Sequence, residues 1–169
     1  KVLVSALAAA LVVTAAAPVG AATSPVKAPK AINGKATVKG VTVKTSKKGT
    51  ATVTAVKSKK ATVKVAATIK VKGVTYKVTA IGANAFKNCK KVKKISVGKN
   101  VKTIGKNAFK GCKKLKTITL ANKKVTIKKG AFAGLNTKKI TIKAPKMSKK
   151  ALKKFKKALK KAGFKGKVK

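Results

Sequence analysis

The sequence predicts a mainly β solenoid of about three 23-residue repeats, with short helical turns, an N-terminal β cap and a C-terminal capping α-helix. The first observation is internal repetition: IGANAFKNCKKVKKISVGKNVKT is followed by IGKNAFKGCKKLKTITLANKKVT and then by IKKGAFAGL. The second is a set of apolar residues at that spacing. The third is the ending APKMSKKALKKFKKALKKAGF, whose apolar residues recur at helical intervals. A period of this length is typical of proteins whose units bury apolar surface against their neighbours.

Three apolar ladders run through the repeats in step. Isoleucines begin the repeats, phenylalanines follow, and a third ladder holds Cys89, Cys112 and Leu135, with members 23 residues apart. Chance matches seldom keep register at several positions, so we expect these side chains to be buried between neighbouring repeats. Together with the apolar strand residues, the predicted core comprises Ile81, Phe86, Cys89, Ile95, Val97, Ile104, Phe109, Cys112, Leu115, Ile118, Leu120, Ile127, Phe132, Leu135, Ile140 and Ile142.

Residues 1–22, KVLVSALAAALVVTAAAPVGAA, have the pattern of a secretory signal peptide: a basic start, an apolar run and then small residues. The alternative is a transmembrane anchor. The apolar run from Val2 to Ala17 is shorter than the roughly 20 residues that span a membrane, so the signal peptide is favoured. We therefore expect a secreted or cell-surface protein. Residues 23–34, with Pro25 and Pro29, are interpreted as a linker.

The middle of the chain divides into a cap and an array. Residues 35–60 alternate valine and threonine between turn residues, which predicts an antiparallel β-strand cap over the open end of the array. Residues 61–145 are assigned to the solenoid. Within them, residues 70–79 predict a small hairpin that turns at Gly73 and carries Tyr76 on its apolar face.

Each repeat contains a short predicted strand with two inward-facing apolar residues, and Val63 with Val65 would form this pair in a degenerate first repeat. The later inward pairs are Ile95 with Val97, Ile118 with Leu120, and Ile140 with Ile142. The Asn-Ala-Phe segments predict tight helical turns that insert phenylalanine into the core. The third repeat departs from the pattern, with Gly130 where Asn84 and Asn107 stand, as terminal repeats commonly do.

Residues 146–169 predict the helical cap. Ser148 is the expected N-cap, and an apolar stripe follows at helical spacing. Gly163 is the expected residue after the C-cap, from which Phe164 can fold back on Leu159 as in a Schellman motif.

The repeat pattern I-G-x-N-A-F-x-x-C-x-x-[VL]-x-x-I-x-[VL], carried by residues 81–97 and 104–120, resembles the BspA-like leucine-rich repeat of bacterial surface and secreted proteins. The terminal segment is similar to the Pro-Lys-rich helical cap of such arrays. The resemblance covers residues 61–169. It implies a curved leucine-rich-repeat solenoid with a short-strand sheet on one face, used for adhesion or partner binding.

The charge of the chain is extreme, with 46 lysines, no acidic residue, no histidine and a net charge of +46. General acid–base catalysis usually employs histidine or a carboxylate, and hard cations require carboxylates. Two cysteines cannot form a four-ligand zinc site. The sequence therefore predicts no catalytic residue, no metal site and no cofactor, and the protein is expected not to be an enzyme.

The outward face of the predicted sheet is the candidate binding surface, because residues that alternate with the inward pairs point to solvent. Its predicted members are Thr62, Lys64, Lys94, Ser96, Thr117, Thr119, Lys139 and Thr141. Such a face could bind a repeating anion or a glycan. The plainer interpretation, that these are solvated residues with high β propensity, is favoured, since no aromatic platform accompanies them.

The expected partner is an anionic cell-surface polymer, or a host or bacterial protein, bound by a monomer. One alternative is a non-specific polycation that binds nucleic acid or an anionic membrane through lysine, with strong salt dependence. Another is an artificial sequence without a selected function. For the C-terminal helix, a capping role is favoured over membrane binding.

Cys89 and Cys112 occupy equivalent positions in consecutive repeats. Adjacent strands lie about 4.8 Å apart, which is within reach of a disulfide. Their ladder continues to Leu135, which indicates an apolar position that a free buried cysteine also satisfies. Both alternatives stay open, with free thiols favoured.

Overall fold

The computed structural model describes residues 30–169, which form a mostly β structure with one α-helix. The expected signal peptide and residues 23–29 of the expected linker lie outside this range. The strands are β1 (Gly34–Val38), β2 (Val41–Thr45), β3 (Thr50–Val56), β4 (Thr62–Val65), β5 (Thr68–Val71), β6 (Val74–Ile81), β7 (Lys94–Val97), β8 (Thr103–Ile104), β9 (Thr117–Leu120), β10 (Thr126–Ile127), β11 (Thr141–Lys143) and β12 (Lys167–Val168). The helix is α1 (Lys149–Lys161), and a short 3-10 helix spans Thr137–Lys139.

The strands form two sheets. The five-stranded sheet has the order β12-β11-β9-β7-β4, and every pair in it is parallel. The seven-stranded sheet has the order β1-β2-β3-β6-β8-β10, with β5 paired to β6. From β4 onward the chain passes repeatedly between the two sheets, so that equivalent strands of successive repeats lie side by side.

The five-stranded sheet stacks its inward side chains in register. The first inward row runs through Val63, Ile95, Ile118 and Ile142. The second inward row runs through Val65, Val97 and Leu120. All seven side chains are buried. This is the packing that the two-residue alternation predicts, because successive residues of a strand point to opposite faces.

The register of the last repeat differs from the prediction. Ile142 lies beside Ile118, whereas the sequence placed Ile140 there. The 3-10 helix before Ile140 takes up the intervening residues, so the strand begins only at Thr141. Ile140 is nevertheless buried, because it enters the core just ahead of the strand.

The isoleucine ladder belongs to the second sheet, where parallel pairing places Ile81 beside Ile104 and Ile104 beside Ile127. Ile81 and Ile104 are buried, whereas Ile127 is half-buried on the edge strand β10. Sequence reasoning did not assign these residues to strands. Two-residue strands such as β8 and β10 are too short to display an alternation of apolar and polar residues.

The phenylalanines form a continuous row. The ring centroids of Phe86 and Phe109 are 5.5 Å apart, and those of Phe109 and Phe132 are 5.4 Å apart. The rest of the predicted core is also internal: Cys89, Cys112 and Leu115 are buried, and Leu135 is half-buried near the end of the array.

The Asn-Ala-Phe segments, predicted as tight helical turns, are successive hydrogen-bonded turns that do not form a regular helix. The reason is the backbone at Asn84 and Asn107, which adopts φ of 57° and 55°, values in the left-handed region. Gly130, at the equivalent position, has φ of 76°. Asparagine and glycine tolerate this conformation best, which explains why these two residue types occupy this position of the repeat.

The N-terminal strands β1, β2 and β3 form an antiparallel meander, as expected, and β3 then pairs in parallel with β6. The hairpin of β5 and β6 is present and buries Tyr76 and Val78. The backbone N–H of Ile32 donates to the Tyr76 hydroxyl at 3.0 Å, and Thr45 Oγ1 donates to the Ile32 carbonyl at 2.9 Å. Ile32 is therefore part of the folded structure, although the expected linker extended to residue 34.

The helix begins and ends as its sequence predicts. Ser148 is the N-cap, and its Oγ accepts from the N–H of Ala151. The N–H of Phe164 donates to the carbonyl of Leu159, and the N–H of Gly163, with φ of 85°, donates to the carbonyl of Lys160. These two bonds define a Schellman motif.

Beyond the helix, the chain returns to the sheet. Phe164 packs on Phe132, with ring centroids 5.0 Å apart, and β12 then pairs with β11. Gly166 lies so close to the carbonyls of Thr137 and Ile140 that a Cβ atom there would clash with them. The return therefore requires glycine.

Candidate functional site

The outer face of the five-stranded sheet presents two parallel rows of polar side chains, which we call the sheet face. The residues that alternate with the buried pairs point outward, and the strand register aligns them across the sheet. The first outer row is Thr62, Lys94, Thr117, Thr141 and Lys167. The second outer row is Lys64, Ser96, Thr119 and Lys143.

The sheet face combines fixed hydroxyls with mobile cations. Ser96, Thr117 and Thr119 are half-buried in the middle of the face, whereas the neighbouring Lys64 and Lys94 are exposed. The short hydroxyl side chains are close to the backbone, so the sheet itself determines their spacing. The lysine ammonium groups lie at the ends of flexible chains and can reach over the hydroxyls. The face can therefore offer hydrogen bonds and positive charge to one ligand.

The electrostatic character of the sheet face is uniform, because the chain contains no carboxylate side chain that could pair with its lysines. Each lysine of the face therefore remains available to an anion from solution. The cost of this arrangement is self-repulsion within the protein, which counterions or an anionic ligand would relieve.

Lys139 is not on the sheet face, contrary to the prediction. It is exposed in the 3-10 helix Thr137–Lys139. Because the strand register is displaced by two residues, Thr141 lies beside Thr117, where the sequence placed Lys139, and Lys143 lies beside Thr119. The other seven predicted residues lie on the face. Whether any of them binds a ligand stays a prediction.

Sequence reasoning missed two lysines of the sheet face. Lys143 was missed through the displaced register of β11. Lys167 was missed because β12 was not predicted. This strand has a single apolar residue, Val168, and comes soon after a segment with a helical pattern, so no alternation indicates a strand. The signal that could have identified β12 is the pair Phe164 and Gly166, an aromatic residue and a glycine that follow the helix and return the chain to the core.

Aromatic side chains contribute nothing to the sheet face. Tyr76 and all five phenylalanines are buried, in the hairpin, in the phenylalanine row or under α1. Stacking on sugar rings or nucleobases therefore has no platform at this surface. A ligand here would be recognised through hydrogen bonds and charge.

The two cysteines are buried free thiols. Cys89 Sγ donates to the carbonyl of Val56 at 3.2 Å, and Cys112 Sγ donates to the carbonyl of Phe86 at 3.0 Å. When Cys89 is ionised, a hydrogen bond from the Cys112 thiol stabilises its thiolate and lowers the pKa of Cys89 to about 7, and burial opposes this shift. The same bond and burial raise the pKa of Cys112. The pair lies away from the sheet face and joins two repeats within the core.

Two other kinds of site are missing from the described part of the chain. Residues 30–169 contain no cluster of side chains suited to hold a metal ion. In the same range, no helix has both the length and the apolar character needed to cross a membrane.

A family model for the BspA type leucine rich repeat region (6 copies) matches residues 75–169. No curated protein matches the chain.

Two solved structures are similar. A leucine rich cell surface protein from Faecalibacterium prausnitzii A2-165 is 25% identical with a TM-score of 0.54, over 66% of this chain and 33% of that one. The chain thus spans about a third of the length of that protein. A leucine-rich repeat protein from Bacteroides capillosus ATCC 29799 is also 25% identical, with a TM-score of 0.46 over 64% of this chain and 70% of that one.

Proposed function

Because the chain belongs to the BspA-type leucine-rich repeat family, we propose that it is a non-enzymatic binding protein of the bacterial surface, and that its sheet face binds an anionic polymer. The observation that carries the proposal is the alignment of lysines and hydroxyls in two outer rows of the face. A polymer with regularly spaced phosphate or carboxylate groups matches such a surface in charge and in its repeating character.

In this proposal the two sheets are the two faces of a short solenoid of about three repeats. The strands β1, β2 and β3 cap its N-terminal end, and α1 caps its C-terminal end. Support comes from the parallel register of successive repeats and from the phenylalanine row, which extends into Phe164. A rigid array of this kind would hold the sheet face in one shape before it meets a ligand.

Location at the cell surface or in the medium is part of the proposal. Residues 1–22 have the pattern of a signal peptide, and the similar Faecalibacterium prausnitzii protein is described as a cell surface protein. Catalysis is not part of it, since the sequence contains no histidine, aspartate or glutamate. We propose a monomer, because a net charge of +46 opposes association between copies.

The competing function is non-specific binding of nucleic acid or anionic membrane by a polycation. The observation that favours it is the distribution of lysine, which covers α1 and the loops as well as the sheet face. The two functions differ in where on the surface the energy of binding arises. Non-specific binding through lysine would fall steeply with salt for every polyanion, because it comes mainly from counterion release.

The test compares two triple variants with equal loss of charge. One replaces Lys94, Lys143 and Lys167 of the sheet face by alanine. The control replaces Lys153, Lys157 and Lys160, which are exposed on α1. Binding to teichoic acid, an acidic glycosaminoglycan and DNA is measured at low and at physiological salt.

We expect the sheet-face variant to lose affinity for one polymer class by about tenfold or more, and the helix variant by much less, because about tenfold corresponds to roughly 1.4 kcal/mol of localised contacts. Equal losses for both variants with all three polymers would contradict the proposal and support the polycation. Unchanged affinity in the sheet-face variant would also refute it.

A further inference from the structure

The five-stranded sheet is open at its N-terminal end. Within residues 30–169, its order places β4 at the edge, with β7 as its one partner. The neighbouring sheet continues at this end through β3, β2 and β1. The two sheets therefore differ in extent here, and the last strands of the longer sheet have no counterpart opposite them. At the other end, β12 adds a strand beyond β11.

The free edge of β4 carries main-chain groups that face away from β7. Ala61 and Val65 direct their carbonyls to β7, where they accept from the N–H groups of Lys94 and Gly98 at 3.0 and 2.9 Å. Alternate residues of a strand direct their N–H and C=O groups to opposite sides. The main-chain groups of Lys64, which lies between these positions, therefore point to the open side. Unpaired groups of this kind are a template for another strand.

An apolar groove lies beside this edge, with a volume of about 750 Å³. Val43, Val53 and Val78 are buried and form part of its lining, and the half-buried Val38 and Ile69 also line it. A strand added to β4 would continue the inward rows of the sheet, so every second side chain of that strand would point toward the groove. The groove thus has room for the apolar side chains of an extended segment.

The surroundings of the groove select the charge of that segment. Lys39, Lys57, Lys59 and Lys60 line it and are exposed, and no acidic side chain exists in the chain to balance them. A second copy of this chain would bring like charges together, which disfavours pairing of two β4 edges. An acidic partner would instead be attracted electrostatically by these lysines.

We propose that the β4 edge and its groove bind an extended segment of a partner protein as an additional strand, and that this segment alternates apolar and acidic residues. Main-chain hydrogen bonds to β4 provide the register, the apolar side chains fill the groove, and the acidic side chains meet the lysines. This surface borders the sheet face at Thr62 and Lys64, but the proposal does not depend on binding of a polymer there.

The probe is a short labelled synthetic peptide in which glutamate and valine alternate. Its control has the same composition with the valines and glutamates in separate blocks, which keeps the charge but removes the alternation. Binding is measured by fluorescence anisotropy at physiological salt. We expect the alternating peptide to bind at least about tenfold more tightly, because only it can place all its valines on one face of a strand. Equal binding of the two peptides would overturn the proposal.

The decisive variants change one residue of the edge. Lys64→Pro removes an outward N–H and the lysine charge, and an edge strand tolerates proline at such a position. Lys64→Ala removes the same charge and keeps the N–H. We expect Lys64→Pro to weaken peptide binding about tenfold relative to Lys64→Ala, since a main-chain bond at the edge is lost. Equal affinities of the two variants would show that charge alone holds the peptide.

A second measurement uses the unmodified protein, so its outcome does not depend on whether the proline variant folds. Amide hydrogen exchange is followed with and without the alternating peptide. The outward amides of Thr62 and Lys64 should gain protection of about tenfold or more when most of the protein is bound, whereas outward amides on β12 should not change. Absence of protection at β4 in the presence of bound peptide would refute the proposal.

Discussion

Phe164 and Phe132 pack together with ring centroids 5.0 Å apart, so a residue just beyond α1 extends the row of repeat phenylalanines by one more ring. The helix is thereby joined to the last repeat through the same aromatic contact that joins the repeats to each other. Stability of the C-terminal end should therefore depend on this row as much as on the helix itself.

Truncation of the row should destabilise the protein strongly. Phe109→Ala removes a fully buried ring that lies between two neighbouring rings. We expect the free energy of unfolding to fall by about 3–5 kcal/mol, as for other core phenylalanines. Phe164→Ala should also destabilise, with loss of helical signal from α1 at lower denaturant concentration. Both are measured by urea unfolding. Ile32→Ala, at a side chain that is 48% exposed, is the control and should change little. An unchanged midpoint in Phe109→Ala would contradict the assigned row.

The left-handed positions of the repeats should discriminate between alanine and glycine. Asn107 has φ of 55°, so Asn107→Ala should destabilise by about 1 kcal/mol, because a Cβ without a compensating polar group is strained there. Asn107→Gly should be neutral or slightly stabilising, as Gly130 holds the same position in the next repeat. Thermal unfolding measures both. Lys106→Ala, at an exposed neighbouring residue without positive φ, controls for the loss of a polar side chain. Equal stability of the alanine and glycine variants would be inconsistent with this backbone.

Cys89 should lose its proton at a lower pH than Cys112. Because a hydrogen bond from the Cys112 thiol stabilises the Cys89 thiolate, the pKa of Cys89 is lowered to about 7, and Cys112→Ala should raise it. The unfolded thiol has the ordinary value of 9.0, so the Cys89 contribution to stability is present above 9.0 and is lost as the pH falls through about 7. Thiolate ultraviolet absorbance measures the titration.

Alkylation provides the second measurement for this pair. Denatured protein should take up two labels without prior reduction, since both thiols are free. Uptake of no label would establish a disulfide. If the titration of Cys89 is the same in the Cys112→Ala variant, the hydrogen bond between the two thiols is not the cause of the shift.

Salt should stabilise this protein, in contrast to proteins that rely on surface ion pairs. With a net charge of +46 and no carboxylate side chain, the folded state concentrates like charges that the unfolded chain spreads apart. Raising ionic strength from about 0.01 M to about 1 M shortens the Debye length from about 30 Å to about 3 Å. We expect the melting temperature to rise across this range. Equimolar sucrose is the control for solute effects, and a melting temperature that falls with sodium chloride would contradict the expectation.

The central repeats could be read from the sequence because their signals are redundant. Ile95 and Ile118 follow identical spacing and alternate with polar residues, and Phe86 and Phe109 follow in step. Several positions thus indicate the same register, and the structure shows this register, with Ile95 beside Ile118. The last repeat has no such redundancy. Two isoleucines two residues apart, Ile140 and Ile142, fit either register, and the hydrogen bonds of a 3-10 helix decide between them.

The sheet face was predictable to the extent that its strands were. Thr117 and Thr119 follow from the central register, whereas Lys143 and Lys167 depend on tertiary contacts of the C-terminal segment. Gly166 illustrates the difficulty: the need for glycine arises from the approach of Thr137 and Ile140, which are distant along the chain. Local patterns carry no information about such an approach.

The two outer rows of the sheet face also give the surface a direction. A polymer laid across the strands passes from Thr62 to Lys167 and meets a new side chain about every 4.8 Å, the spacing between neighbouring strands. A polymer laid along one strand meets two side chains, about 7 Å apart, and then leaves the sheet. An extended ligand could therefore make more contacts when it lies across the strands than along them, and the number of those contacts would increase only with the number of strands.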